Sequence, residues 1–469
     1  MLFGFDLWQW LALIQHELLL FAGIFFLIGA VDDLAIDATW LWLKLTGRAR
    51  TPEIDRAELQ SAKLHGSAAI FIPAWNEANV IGDTIRHALS SWPQSALRLY
   101  IGCYRNDPAT ISAAMAAANG DARLRIVIHD RAGPSTKADC LNRLYEAMRD
   151  DERRMGTAFA MVLFHDAEDL VDPAGLTLLD KAIAGGADFA QLPVEPLVQP
   201  KSRWLGSHYC EEFAEAHAKS MVVRDALGAG LPAAGVGCAV SRDALQKLSH
   251  ERFDRLPFRD DSLTEDYELG LAVAQSGGTC RFVRARGRDG LLVATRAYFP
   301  AKLDEVVRQK TRWVHGIALQ GWDRIGWGNN GIIEMWMRAR DRRGPMTALV
   351  LLLGYILLAL TALGWTAIGL GYGEPIVLSP LLKGLLIANL AAFLWRGVFR
   401  FAFTAREYGM TEGLRAILRV PLANIIAIMS GRRAVTAYAK TLAGGAIIWD
   451  KTEHHVHPAS LFQTPERAQ

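Results

Sequence analysis

Long apolar runs stand near both ends of the chain, and they limit its possible folds more than any other feature. The first covers residues 11–34 and supplies the ~20 apolar residues that a membrane-spanning helix needs. Two further runs cover residues 346–370 and 376–395. A bilayer admits such segments only as helices, because their backbone polar groups must be paired within the segment. The charged middle of the chain is therefore expected to fold outside the membrane.

Basic residues flank these runs and predict their orientation. Lys44, Arg48 and Arg50 follow the first run, which predicts a cytoplasmic middle segment and an N-terminus outside. Arginines at residues 338–343 precede the second run and Arg396 follows the third, so these two runs are predicted to cross outward and then inward.

A fourth apolar run, at residues 414–430, has marginal length, arginines at both ends and Pro421 inside it. We interpret it as an interfacial or re-entrant helix, with a full span as the alternative. The predicted regions are an N-terminal anchor at 1–45, a cytosolic domain with interfacial helices at 46–330, a membrane region at 331–450 and a polar tail at 451–469.

The charge balance and the cysteines exclude several classes of protein. The 51 basic and 49 acidic side chains give a formal charge of +2, which does not suggest nucleic-acid binding. The five cysteines are far apart and form no CxxC pair, which argues against a zinc site or a disulfide framework.

The middle of the chain alternates short apolar segments with helical patterns. Over residues 67–193 the predicted helices start at Asn76, Asp107, Ser135 and Asp172. Apolar strands that alternate with helices indicate a mainly parallel α/β sheet covered on both faces. Right-handed crossovers bring the carboxyl ends of its strands to one edge, where ligands bind in open sheets.

Further segments follow the predicted sheet. Helical patterns cover residues 201–230, 261–278 and 303–322. A glycine-rich loop is predicted at residues 228–242, where the glycines permit close backbone approach to a ligand.

The segment FHDAEDLVDP, residues 164–173, ends one predicted strand with a group of carboxylates. Asp166 and Glu168 are two residues apart, so they point the same way from an extended segment. Such hard oxygen ligands suit Mg²⁺ or Mn²⁺ carrying substrate phosphates. Asp169 remains the alternative to Glu168 as second ligand, and an acidic helix N-cap remains the alternative to a metal site.

Other polar residues are predicted to lie at the same edge. Pro73, Asn76 and Glu77 end the first strand, where a ligand-binding loop belongs. Asp107 ends the second strand and can accept hydrogen bonds from a nucleotide base or ribose. Lys137 lies at a helix N-terminus, where its charge and the free backbone amides favour a diphosphate.

Two motifs come from beyond the predicted sheet. A Thr-Glu-Asp sequence supplies Glu265 and Asp266, and a later helix carries Gln309, Arg312 and Trp313 in the pattern QxxRW. Alone, the first motif is typical of a helix N-cap and the second of a helix end at a membrane surface.

In this order the motifs resemble those of the membrane-embedded family 2 glycosyltransferases, which include cellulose and hyaluronan synthases. Within that family the chain is similar to the bacteriophage adsorption protein B group. The matching segments are Pro73 to Glu77, Asp107 to Thr110, Ser135 to Asn142, His165 to Asp169 and Trp449 to His454. One departure is that the synthases usually carry DxD where this chain has Asp-Ala-Glu-Asp.

The resemblance implies a GT-A fold, which is a Rossmann-like α/β domain, with a nucleotide-diphosphate sugar as donor and inversion at the anomeric carbon. It implies that Asp166 binds Mg²⁺ or Mn²⁺ together with Glu168, and that Lys137 and the cation stabilise the departing diphosphate. Asp266 would then be the catalytic base, with Glu265 beside it.

The same resemblance implies that Gln309, Arg312 and Trp313 lie across the cleft. Trp313 would offer a flat apolar face to an acceptor sugar, and Arg312 a charge near the donor. Pro73, Asn76, Glu77 and Asp107 would belong to the nucleotide side, according to the same family pattern.

The predicted function is transfer from a UDP-sugar, with UDP-N-acetylhexosamines among the candidates, to a growing polysaccharide at the bacterial inner membrane. Transfer of one sugar to a lipid carrier and a non-catalytic receptor or scaffold remain alternatives. A homo-oligomer or a secretion partner is expected, because few membrane helices make only a narrow channel. The histidines at 454, 455 and 457 are predicted to lie in a solvated tail, with metal binding as the alternative.

Overall fold

A mixed sheet lies at the centre of the chain. The computed structural model describes residues 7–200, 202–328, 331–372, 377–445 and 457–459. The strands are β1 (Glu53–Ile54), β2 (Ala68–Pro73), β3 (Leu97–Tyr104), β4 (Leu124–His129), β5 (Met161–Phe164), β6 (Phe189–Gln191), β7 (Val194–Pro196), β8 (Cys238–Ser241), β9 (Cys280–Phe282), β10 (Arg286–Gly287) and β11 (Thr295–Ala297).

The central sheet has seven strands in the order β4-β3-β2-β5-β8-β6-β9, while β1 with β10 and β7 with β11 form short parallel pairs. All neighbours in the large sheet are parallel except β8 with β5 and β6, which confirms the mainly parallel prediction. The β2 strand is buried on both faces, because Ile70 and Ile72 join one apolar cluster and Ala69 and Phe71 join the other. Burial on both faces explains why its sequence is continuously apolar.

The strand β8 lies within residues 228–242, so the prediction of a loop is wrong for Cys238–Ser241. Its pairing partners β5 and β6 are distant in sequence. A short central strand is stabilised by burial between its neighbours, and a local sequence pattern does not contain that information.

The helices surround the sheet and extend beyond it. They are α1 (Leu7–Leu45), α2 (Arg56–Ser61), α3 (Ile81–Ser91), α4 (Pro108–Ala118), α5 (Lys137–Met155), α6 (Gly175–Ala184), α7 (His208–Glu215), α8 (Met221–Ala226), α9 (Arg242–His250), α10 (Glu265–Gln275), α11 (Leu303–Trp313), α12 (Gly321–Ile325), α13 (Gly331–Arg342), α14 (Gly344–Gly369), α15 (Pro380–Tyr408), α16 (Met410–Leu418) and α17 (Val420–Leu442). Segments of π-helix at Ala216–Ser220 and Val314–Gln320 join α7 to α8 and α11 to α12.

The sequence predicts where four helices start, and two of them start at a different residue in the structure. Helices α4 and α5 begin within two residues of the predicted positions. Helix α3 begins at Ile81 instead of Asn76, because Asn76 has a left-handed φ of 55° that a helix does not accept. Helix α6 begins at Gly175 instead of Asp172, because Asp172 Oδ1 accepts a hydrogen bond from the Ala174 N–H in a preceding turn.

Among the described residues, three helices, α1, α14 and α15, are long and apolar enough to cross a membrane. Helices α16 and α17 pass the same test only as a pair, and they are bent by 53° where they meet. The bend falls at Arg419, inside the apolar run at residues 414–430. Helix α17 packs on α14 and also on α11 and the π-helix after it, so it joins the membrane helices to the sheet domain.

Candidate active site

A cleft opens at the carboxyl ends of β2, β3 and β5, the edge at which the sequence predicts a ligand site. The predicted residues that line it are Pro73, Glu77, Lys137, Asp166, Glu168, Asp169, Glu265, Asp266, Gln309, Arg312 and Trp313. Asn76 and Asp107 do not belong to this lining, which is defined by the described residues alone. Segments that are far apart in the sequence therefore line one cleft.

Asp107 supports the loop that follows β2. Its Oδ2 accepts a 2.6 Å hydrogen bond from the backbone N–H of Asn76, and its Oδ1 accepts one of 3.2 Å from the Thr110 N–H at the start of α4. The Thr110 hydroxyl accepts a 2.9 Å hydrogen bond from the Glu77 N–H. Both oxygens of the buried Asp107 carboxylate thus have backbone partners. Each oxygen can accept a second hydrogen bond, and the expected contact with a base or ribose stays a prediction.

Lys137, the first residue of α5, lies among carboxylates. Its Nζ is 2.5 Å from Asp166 Oδ1. Burial lowers the pKa of Lys137, but attraction to Asp166, Glu265 and Asp266 outweighs burial and holds the pKa well above its ordinary value. Lys137 is therefore a fixed positive charge between the carboxylate after β5 and those that begin α10.

Residues 165–172, which we name the HDAED loop, form a turn instead of the expected extended segment. Asp169 is 1% exposed, and its Oδ2 accepts hydrogen bonds from His165 Nδ1 at 2.9 Å and from the Asp166 N–H at 3.0 Å. Asp169 thus holds the turn together. Glu168 is less buried and lines the cleft beside Asp166, so the geometry favours Glu168 as the second metal ligand.

The pair Asp166 and Glu168 fits a divalent cation that also binds a diphosphate. Among the described residues, no group of three or more His, Cys, Asp or Glu side chains could hold a metal ion by itself. Mg²⁺ is commonly held by one or two carboxylates, with substrate phosphates and water completing its coordination. Two carboxylates next to the Lys137 ammonium match that kind of site.

Glu265 and Asp266 begin α10 and face Lys137. Burial raises the pKa of both carboxyl groups, and the neighbouring Asp266 helps to raise that of Glu265 to about 7. The glycine-rich segment passes close by, because a Cβ on Gly235 would lie 2.4 Å from Asp266 Oδ2. Gly235 also has a left-handed φ of 81°. The backbone of this segment thus lies close to Asp266, and the predicted approach to a ligand stays a prediction.

Helix α11 supplies another wall of the cleft. Gln309 Oε1 accepts a 2.6 Å hydrogen bond from the Tyr209 hydroxyl. The ring of Trp313 lies 5.9 Å from that of Tyr209 and 6.5 Å from that of Phe299. Arg312 acts electrostatically on Glu265 and Asp266 and lowers the pKa values of both, against the effect of burial.

Comparison with known proteins identifies the family. A family model described as glycosyltransferase like family 2 matches residues 65–316, more than half of the chain. The chain belongs to the family 2 glycosyltransferases.

Two curated relatives extend this likeness. The glycosyltransferase is 32% identical over 463 residues to bacteriophage adsorption protein B of Escherichia coli strain K12 and, equally, to bacteriophage N4 adsorption protein B of Escherichia coli O157:H7. Each alignment covers 92% of this chain but 61% of the relative, so the chain spans about three fifths of their length.

A solved structure supports the fold. The mannosyltransferase of Pyrobaculum calidifontis, in complex with GDP-Man and Mn²⁺, aligns with a TM-score of 0.50 and 15% identity over 86% of this chain and 98% of its own. The predicted GT-A fold, with helices at both ends that are long enough to span a membrane, is confirmed.

The glycosyltransferase cleft also contains aromatic residues that the motifs did not indicate. Tyr104 ends β3, its ring stacks on His129 with centroids 5.2 Å apart, and it lies 5.1 Å from Trp75. The Tyr104 hydroxyl forms a 2.7 Å hydrogen bond with Ser135 Oγ. Tyr104 could have been found from its position at the carboxyl end of a predicted strand, whereas Phe299 has no comparable local signal.

The prediction of a solvated histidine tail is wrong for His457. Its side chain is 1% exposed and its Nε2 lies 3.2 Å from the carbonyl oxygen of Asp169, to which it donates a hydrogen bond. Backbone partners for both ring nitrogens allow this polar ring to be buried. His454, His455 and the segment from Trp449 to His454 lie outside the described residues.

Proposed function

We propose that the chain is an inverting glycosyltransferase that moves a sugar from a UDP-sugar, such as a UDP-N-acetylhexosamine, to a growing polysaccharide. Mg²⁺ or Mn²⁺ accompanies the donor in this proposal. The observation that carries it is the meeting of Lys137 and Asp166, 2.5 Å apart, with Glu265 and Asp266 in one cleft. The positive charge of Lys137, which would bind a diphosphate, and the Asp266 carboxylate, which would act as base, therefore line the same cleft.

The donor end of the cleft suits a departing diphosphate. Lys137 carries its charge at the N-terminus of α5, where free backbone N–H groups also favour anions. Asp166 and Glu168 would hold the cation, which stabilises negative charge on the leaving diphosphate when bound. Trp75 and Tyr104 line the same cleft and offer aromatic surface to a nucleotide base.

Sugar transfer requires a base near the acceptor. In the proposed step Asp266 takes the proton of the acceptor hydroxyl as its oxygen attacks the anomeric carbon. The bond between that carbon and the diphosphate oxygen breaks, and its electron pair leaves with the diphosphate, whose charge Lys137 stabilises. Burial raises the pKa of Asp266, which makes its carboxylate a stronger base. Attack from the face opposite the leaving group inverts the configuration.

The acceptor side and the membrane location belong to the same proposal. Trp313 and Phe299 present aromatic faces to the cleft, and sugar rings pack on such faces. We place the catalytic domain in the cytoplasm at the bacterial inner membrane, attached through α1, α14 and α15. Because so few spans make a narrow channel, the proposal includes a homo-oligomer or a secretion partner for export of the polymer.

A lipid carrier is the second candidate acceptor, and a groove in the membrane region favours it. Apolar side chains of α1, α15 and α16 line the groove, with Phe393 and Phe401 among them. Arg396 and Arg400 belong to the same lining, and each is paired with a carboxylate, Arg396 with Asp33 at 3.2 Å and Arg400 with Glu211 at 3.2 Å. The groove therefore matches the apolar chain of a lipid carrier more than its head group.

Nucleotide release tests the proposal and separates its alternatives. Detergent-purified protein receives UDP-sugars or GDP-sugars with Mg²⁺ or Mn²⁺, and the freed nucleotide and the product are measured. Release that disappears in Asp266→Asn supports a transferase. A ladder of products then indicates a polysaccharide, and one discrete glycolipid indicates a lipid carrier. Absence of release with every donor would instead favour a receptor or scaffold.

A further inference from the structure

The HDAED loop is held by side chains that bind its backbone carbonyl groups. Two of these side chains come from α3 and a third from Trp92, which directly follows it; each donates a hydrogen bond to one carbonyl oxygen of the loop. The pairs are Thr84 with Ala167, His87 with Val171 at 2.9 Å, and Trp92 with Asp172 at 3.1 Å. Helix α3 and the residue after it therefore hold the loop through its backbone.

The carbonyl group of Asp169 is bound by a side chain from residues 457–459, whereas that of Leu170 is bound by the backbone N–H of Arg296. His457 Nε2 donates to the Asp169 carbonyl oxygen at 3.2 Å. Its Nδ1 accepts a 3.1 Å hydrogen bond from the Ala459 N–H, so the ring hydrogen is on Nε2 and points to the loop. Asp83, Arg86 and His87 of α3 act electrostatically on the ring. The C-terminal segment at residues 457–459 thus docks beside α3.

This contact acts on the part of the loop that carries the candidate metal ligands. The Asp169 side chain already binds the Asp166 N–H and His165, while its carbonyl is bound by His457. Asp169 is consequently held at its side chain and at its backbone. Glu168 lies between Asp166 and this doubly held residue, so the separation of the two carboxylates depends on the position of Asp169.

We propose that His457 is a positioning residue of the glycosyltransferase: by holding the Asp169 carbonyl it keeps Asp166 and Glu168 arranged for a divalent cation and a nucleotide diphosphate. Docking of residues 457–459 then controls how well the HDAED loop binds them. This inference rests on the proposed function, and it assigns these residues a role outside the transfer chemistry.

Three substitutions of His457 separate its two hydrogen bonds, and all are made in the full chain. His457→Gln keeps an N–H at the distance of Nε2, so it can still bind the Asp169 carbonyl. His457→Asn keeps an acceptor near Nδ1 for the Ala459 N–H but is too short to reach the loop. His457→Ala removes both hydrogen bonds. His250→Ala, at the exposed end of α9, is the matched control.

The measurements are the affinity for Mn²⁺ with UDP, hydrogen exchange of the peptide covering residues 165–172, and Tm. We expect His457→Ala and His457→Asn to weaken Mn²⁺–UDP binding about tenfold and to speed exchange of that peptide, because the hydrogen bond to the Asp169 carbonyl is lost. His457→Gln and His250→Ala should resemble the wild type in binding and exchange. Tm should fall in His457→Ala, because a buried side chain loses both of its hydrogen bonds.

Two results would overturn the inference. One is that His457→Ala matches His250→Ala in both binding and exchange. The other is that all three His457 variants lose Tm together and the glutamine does not restore binding, which would mean a merely structural role. If the wild type releases no nucleotide but these binding differences appear, the proposed transfer fails while the role of His457 stands.

Discussion

Lys137 and Arg312 supply positive charge to the carboxylates of the cleft. Of the two, Lys137 is the one that acts on Asp166 as well as on Glu265 and Asp266. We predict that Lys137→Met lowers kcat/KM for nucleotide release by about 100-fold, because a group that stabilises the departing diphosphate is lost. Lys181→Met, on the exposed face of α6, should leave kcat/KM unchanged. A Lys137→Met enzyme with near-normal kcat/KM would contradict this role.

Glu168 and Asp169 are adjacent carboxylates with different surroundings, and substitution should separate their roles. Glu168→Gln is predicted to raise the Mn²⁺ concentration for half-maximal activity at least about tenfold without lowering Tm. Asp169→Ala should lower the free energy of unfolding by about 2 kcal/mol, because His165 and the Asp166 N–H lose a buried acceptor. Mn²⁺ titrations check the prediction for Glu168→Gln, and thermal unfolding checks the prediction for Asp169→Ala. An unchanged Mn²⁺ requirement in Glu168→Gln would reject it as the ligand.

The sequence predicts which residues meet in the cleft better than it predicts what each one contacts. Asp166 could be found because charged residues at the end of an apolar strand have few structural roles, and Lys137 because it lies at a predicted helix N-terminus. Asp107 illustrates the limit, since the same Asp-Pro pair that ends a strand also caps a helix, and the structure shows the cap. His457 could not be assigned, because its partner Asp169 is distant in sequence and is contacted through the backbone.

At the scale of the elements, the glycine-rich segment at residues 228–242 packs closely against the start of α10. Gly235→Ala would bring a Cβ within 2.4 Å of Asp266 Oδ2, whereas a Cβ at Gly228 meets nothing within 4 Å. Both glycines have left-handed φ values, of 81° and 71°, so both substitutions should cost about 1 kcal/mol of stability. We predict that only Gly235→Ala strongly lowers kcat, because only it displaces the proposed base.

Parallel assays of kcat and Tm check this pair of glycines. Equal loss of kcat in Gly235→Ala and Gly228→Ala would show that backbone strain, and not displacement of Asp266, causes the effect. A normal kcat in Gly235→Ala would mean that the glycine-rich segment shifts and that the Asp266 carboxylate keeps its position.

Helices α7, α16 and α17 meet at a buried charge. Arg419 is 0% exposed, lies 2.6 Å from Glu211 and also pairs with Glu412. Arg419→Met is predicted to destabilise the protein by about 3 kcal/mol, because two buried carboxylates lose their shared partner. Arg433→Met, on the exposed side of α17, is the control. The Tm in detergent is measured for both variants. Equal Tm values would show that Arg400 and Arg415 are sufficient partners for Glu211 and Glu412.

The strand that the sequence mispredicts depends on residues far along the chain. Local periodicity identifies β2, β3 and α10, because consecutive residues carry their burial pattern. The strand β8 is stabilised instead by pairing with β5 and β6. The burial of Arg419 at the bend between α16 and α17 also depends in part on a distant neighbour, since Arg419 pairs with Glu211 of α7 as well as with the nearby Glu412.

For the whole molecule, the contacts of the C-terminal region decide how many times the chain crosses the membrane. Tyr438 of α17 donates a 2.7 Å hydrogen bond to Asp323 of α12, and His457 contacts the HDAED loop. These residues must lie on the same side of the membrane as the sheet domain. Crossings by α1, α14 and α15 satisfy this requirement only if the bent pair of α16 and α17 returns to its own side.

We therefore predict three crossings, with α16 and α17 at the cytoplasmic interface. In a bacterial host, alkaline phosphatase fused after residue 372, between α14 and α15, should be active, because that connection lies outside. The same reporter fused after residue 445 should be inactive, and green fluorescent protein there should fluoresce. Phosphatase activity after residue 445 would make the bent pair a fourth span, and His457 could then not reach the Asp169 carbonyl.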